Sequence, residues 1–113
     1  MWVGALDVDL LLGDVRSLKE KRSLVRPVVA ELKRLGVSAA EAGHLDLHRR
    51  ALVGVAVVAA DARHCREVLD ACERLVERRP ELEVLSARQR LFGSADDGED
   101  EDEGPGGAEV SGS

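Results

Sequence analysis

Between Trp2 and Phe92 the apolar residues recur at every second position, then at helical spacing, then extended again, and the cycle repeats. Each change of period marks a change of element, because a helical spacing cannot bury one face of a strand. Trp2, Gly4, Leu6, Val8 and Leu10 share one parity while Asp7 and Asp9 take the other, which predicts a strand with one buried face. Gly13-Asp14 turns the chain. Ser17-Leu18-Lys19-Glu20 has capping-box spacing, and a helix with Leu18, Val25, Val28, Leu32 and Leu35 on one side runs to about Leu35, stopped by Gly36. Pro27 inside it has no N–H to donate, so a kink near Ser23 or a late helix start is expected. Val37 to Gly43 reads as a weak strand. Ala51 to Ala60 is apolar at both parities, the pattern of a central strand covered on both faces. Asp61 caps a second helix with the stripe Cys65, Val68, Leu69, Cys72, Leu75 and Val76, ended by Arg79-Pro80, and a last strand reaches Leu91 or Phe92.

The resulting βαββαβ order with short connections predicts an α+β, ferredoxin-like sandwich: a four-stranded antiparallel sheet with two helices on one face. Right-handed crossovers make the first and third strands central. They also bring the first strand-to-helix loop, the start of the first helix and the hairpin between the second and third strands to one end of the sheet.

The formal net charge of −6 conceals a division. Residues 1 to 95 hold all 16 Lys and Arg against 14 of the 22 acids, a net of +2, whereas the last eighteen residues hold eight acids and no base. The domain is expected at residues 1–93 and an acidic, Gly-rich disordered tail at 94–113, since such a composition cannot bury enough apolar surface to offset ordering entropy. Cys65 and Cys72 are seven residues apart on one helix, about 10 Å of rise, too far for a disulfide. With no apolar run long enough to span a bilayer, the expectation is a soluble cytoplasmic protein with no membrane partner.

Arg16, Lys19, Lys21, Arg22 and Arg26 precede or open the first helix, and Arg49 and Arg50 sit in the hairpin, so the topology gathers them against only Asp14, Glu20, Glu41 and Asp46. With the helix N-terminus beside them, this edge suits an anion or phosphate. An Arg-rich chain with solvated loop cations is the plainer account of the same residues. Other chemistry finds less support. His44, Asp46 and His48 alternate as metal ligands on an extended segment could, but three ligands from one strand rarely close a site. His64 and Cys65 point about 100° apart on a helix, which disfavours a nucleophile pair. Acylphosphatases share the βαββαβ order and use a loop Arg with an Asn; Arg16 could take the first role, but the chain contains no Asn. No catalytic residue, cofactor or metal is therefore expected. The sheet lacks the aromatic residues on which RNA-recognition modules stack bases, so any nucleic-acid contact should run through phosphates and depend steeply on salt. With both helices on one face, Val3, Ala5, Leu52, Ala56 and Val58 leave a partly apolar open sheet, the mark of a partner or a homodimer. The acidic tail either confers solubility, as like-charge runs usually do, or mimics nucleic acid at the basic edge.

Ser17-Leu18-Lys19-Glu20-Lys21-Arg22-Ser23 after a short first strand, followed by Glu41, Asp46, Arg50-Ala51 and Gly54-Val55-Ala56-Val57, resembles the DUF503 family of small bacterial proteins, also called YlxP-like, over about residues 1 to 92. The resemblance implies a ferredoxin-like fold, no established enzymatic activity, and an RNA or ribosome connection through genes that neighbour those of translation initiation and ribosome maturation. Where relatives often carry Asp-Leu-Trp-Gln-Arg, this chain has Asp46-Leu47-His48-Arg49-Arg50, trading a stacking residue for a further cation. The expectation is an RNA- or ribosome-associated accessory protein binding through Arg16, Lys19, Lys21, Arg22, Arg49 and Arg50. The alternative is a protein-interaction or homodimerisation module that uses the open sheet and binds no nucleic acid.

Overall fold

The computed structural model describes residues 1–94, in which six elements follow in the expected order. They are β1 (Trp2–Leu12), α1 (Leu18–Lys33), β2 (Ser38–Gly43), β3 (Arg50–Ala59), α2 (Ala62–Glu77) and β4 (Leu82–Gly93). The acidic tail expected after Gly93 lies, from residue 95 onward, outside the described residues.

The strands form one sheet in the order β2-β3-β1-β4, every neighbouring pair antiparallel. This is the ferredoxin-like arrangement, with β1 and β3 central. The parity read from β1 holds: Gly4, Leu6, Val8, Leu10 and Leu12 are buried, and Val3, Ala5, Asp7, Asp9 and Leu11 alternate with them. Gly4 has a steric reason. A Cβ there would stand 3.0 Å from Leu69 Cδ1, so its absence lets α2 settle onto β1.

β3 corrects one expectation. Ala51, Val53, Val55 and Val57 are buried, but Val58 on the other face is 63% exposed. Its apolar residues at both parities therefore mark a central strand with one covered face, because both helices lie on the same side. The core beneath them joins the even positions of β1 to Val25, Val28 and Leu32 of α1 and Cys65, Leu69, Cys72 and Val76 of α2.

α1 starts at Leu18, with Ser17 as N-cap accepting from Glu20 N, so the late start is excluded and Pro27 lies inside the helix. Its ring faces solvent. The last residue of the expected stripe, Leu35, falls beyond the helix and is exposed. Gly36 follows at φ 85°, a left-handed position that glycine adopts without a Cβ clash. The stripe gains a member that its residue type hid, since Lys21 is buried beside Val25.

Candidate functional site

The first strand-to-helix loop and the β2–β3 connection do meet at one end of the sheet. Leu12 N donates to Arg49 O at 2.9 Å, and Arg49 Nε donates to Gly13 O at 2.8 Å. Most of the cations gathered there are already engaged by the protein.

Lys21 is the clearest correction. Its side chain is 1% exposed, and its ammonium donates to His44 O at 2.7 Å and Leu47 O at 2.8 Å while standing 2.7 Å from Glu41 Oε2. Buried, bonded to two carbonyls and ion-paired with Glu41, the Lys21 ammonium is not available to a phosphate; it fastens α1 to the β2–β3 connection. Arg50 is likewise committed, its Nη2 donating to both oxygens of Asp9 at 2.9 and 2.8 Å on the open sheet. The Arg50 guanidinium holds the Asp9 carboxyl below the usual carboxylate range, with His44 adding to the effect. Arg49 uses Nε on the backbone of the β1–α1 loop, and Arg16 faces Asp14 at 3.4 Å. The helix N-terminus is no open anion cradle either. Glu20 places its carboxylate there, accepting from Arg16 N at 2.7 Å.

The metal reading loses its premise. His44 adopts φ 57° in a turn closed by Leu47 N donating to His44 O, so His44, Asp46 and His48 do not alternate along an extended segment. His44 Nε2 instead stands 3.4 Å from Asp9 Oδ1. Among the described residues no three His, Cys, Asp or Glu side chains are grouped to hold a metal. Cys65 and Cys72 are free thiols with no exposure, and burial pushes both upward from the ordinary thiol range.

Arg16, Lys19, Arg22 and Arg49 remain exposed, and on α1 Arg26 and Lys33 join Lys19 and Arg22. At 100° per residue, Lys19, Arg22, Arg26 and Lys33 fall within an arc of about 60° on α1. The row is about 21 Å long. None of the four makes an ion pair within the described residues, whereas the acids of the same helix turn elsewhere, Glu20 to the Arg16 backbone and Glu31 to Arg79. Arg22, Arg26 and Lys33 rim a groove of about 400 Å³ between α1 and β2, floored by Val25 and Val29 and closed on the strand side by Glu41. On α2 the exposed cations behave differently. Arg63, Arg66, Arg74 and Arg78 are interleaved with Glu67, Asp70, Glu73 and Glu77, and Arg63 pairs with Glu67. In the sequence the α1 row shows as the i, i+3, i+7 and i+14 spacing from Lys19, the pattern of one helix face, which carries Lys33 to the opposite end of the sheet from Lys19.

The open sheet face has a charged centre and apolar rims. Asp9–Arg50 and Asp7–Arg90, the latter at 3.1 Å, bridge neighbouring strands, while Val3 stands between Val58 and Phe92 across three strands.

Comparison with known proteins agrees with this architecture. A family model described as "Protein of unknown function (DUF503)" matches residues 3–89. No curated protein matches the chain. Among solved structures, a de novo designed protein with ferredoxin fold, determined by solution NMR, aligns with a TM-score of 0.54 at 12% identity, covering 90% of this chain and 96% of the designed one. At that identity the likeness concerns the fold alone. No helix among the described residues is long and apolar enough to cross a membrane.

Proposed function

The chain belongs to the DUF503 family, and from that premise we propose that it is a non-enzymatic accessory protein that engages RNA phosphates through the cation row of α1. The setting of translation or ribosome maturation comes from the resemblance. The observation that carries the reading is the row Lys19, Arg22, Arg26 and Lys33, unpaired among the described residues, on a helix whose own acids face away from it. Cations kept free of partners on a rigid helix are available to phosphate oxygens, and Arg meets them with a planar fork of donors. Such contacts position a backbone without reading bases.

Four phosphate contacts predict that log K falls with log salt at a slope of roughly −2.8 on single-stranded RNA. The direct test is binding of the full chain to bulk ribosomal RNA and ribosomal subunits across a salt series, beside the variant Arg22→Glu/Arg26→Glu/Lys33→Glu. Loss of affinity with a shallower slope supports the reading. Equal binding by the two proteins removes it.

A second reading is favoured by the apolar cluster Phe92, Val3 and Val58 on the open sheet. A homodimer or protein partner seated there would bury apolar surface and persist at high salt, where phosphate contacts fail.

A further inference from the structure

We propose that the groove between α1 and β2 is a docking site for the chain's own acidic segment, Asp96 to Glu103, which holds the cation row until a nucleic acid displaces it. The inference rests on the reading of that row as a phosphate-contacting surface. It names what occupies the row when RNA is absent.

Three observations converge on this occupant. The first is charge. Seven of the eight residues from Asp96 to Glu103 are acidic, and no base lies beyond Arg90. The groove offers Arg22, Arg26 and Lys33 against the single carboxylate of Glu41. Carboxylates meet guanidinium forks with the same bidentate geometry as phosphate oxygens, so a run of them is a chemical substitute for a nucleic-acid backbone.

The second is position. The register sets Gly93 opposite Trp2, and Trp2 opposite Ala59, so β4 ends at the edge of the sheet where β3 hands over to α2. α1 runs antiparallel to β1 and ends at this same edge, with Lys33 in its last turn. From Gly93 the start of β2 lies three strand spacings away, about 14 Å. The helix layer lies about one helix diameter, ~10 Å, above the sheet. Asp100 follows Gly93 by seven residues, a reach of up to about 23 Å. The middle of the acid run can therefore meet Lys33, and the remaining acids and residues 104–113 suffice to follow the groove toward Arg26 and Arg22.

The third is selectivity among basic surfaces. On α2 the interleaved acids would repel an acidic segment; at the other end of the sheet Arg50 and Lys21 are bonded internally, and Arg49, which spends only its Nε on the chain, stands the length of β1 away from Gly93. The α1–β2 groove sets adjacent exposed cations, unpaired among the described residues, beside an apolar floor of Val25 and Val29. A tether this short gives an effective concentration near 1 mM, so an intrinsic affinity of about 0.1 mM fills the groove and weakens competing RNA about tenfold.

The test uses the full chain. Because Cys65 and Cys72 are fully buried, a nitroxide on Gly104→Cys labels one place. Docking predicts broadening of amide signals from Arg22 to Lys33 and from Ser38 to Glu41, abolished by high salt and by Arg22→Glu/Arg26→Glu/Lys33→Glu. Broadening confined to residues near Gly93, or unchanged in that variant, overturns the proposal. In parallel, replacing the seven acids by Asn and Gln should raise affinity for ribosomal RNA about tenfold at low salt. If RNA binds the α1 row equally with and without those acids, the docking idea fails while the functional reading stands. If the label reports docking and RNA does not bind either form, the docking stands and the functional reading fails.

Discussion

Lys21 Nζ stands 2.7 Å from Glu41 Oε2 with the lysine side chain 1% exposed, joining the first turns of α1 to the edge strand β2. The lysine also holds two carbonyls of the β2–β3 connection, His44 O and Leu47 O. Removing one partner of a buried pair leaves the other desolvated and unpaired, so Lys21→Met should destabilise the domain by roughly 3–5 kcal/mol. The urea midpoint checks this. Lys21→Met combined with Glu41→Gln should cost less than Lys21→Met alone, since no carboxylate is then stranded.

Pro27 should respond in the opposite direction. It faces solvent inside α1 and contributes no backbone donor to the helix. Pro27→Ala restores the bond to Ser23 O and should stabilise the domain by about 1–3 kcal/mol, seen as a higher thermal midpoint. An unchanged or lower midpoint would mean that the surroundings have adapted to the ring.

Asp9 makes stability depend on pH with a definite sign. The Arg50 hydrogen bonds hold its folded pKa below the ordinary value near 3.9. A lowered carboxylate pKa contributes stability above the unfolded value, and the contribution disappears as pH falls through the folded one. Asp9→Asn should therefore be less stable than the parent at neutral pH, with the gap closing below about pH 4. Urea denaturation at several pH values measures it, and a gap that stays constant into acid would exclude the pair as its source.

The two cysteines should be unreactive in the folded protein. Burial raises both thiols, and Asp61 adds to the effect at Cys65. Alkylation near pH 8 should track the unfolded fraction and accelerate with denaturant. Rapid native labelling would contradict the placement of Cys65 and Cys72 beneath the sheet.

The open sheet offers a check on the second functional reading. Val58→Asp places a charge in the Phe92, Val3 and Val58 cluster. If copies associate through this face, sedimentation of the parent should show a concentration-dependent dimer that the variant loses, with little change at high salt. The charge variant of α1 should leave that equilibrium untouched.

Element order, strand parity, the central strands and most of the core were legible in the sequence, because periodicity reports which face of an element is buried and short connections restrict the topology. The choice of functional cations was not. Lys21, Arg22 and Arg50 are alike to a sequence reading, yet one is enclosed by three oxygens, one is exposed with no ion pair among the described residues and one is bound to Asp9 across the sheet. Their partners lie twenty to forty-one residues away in the chain, at Glu41 and Asp9. Periodicity along one element carries no information about such partners. Only the packing of α1 against β2 and of β1 beside β3 decides which charges are spent inside the domain and which remain for a ligand, because a charge is neutralised by what stands within a few ångströms of it, not by what precedes it in the chain.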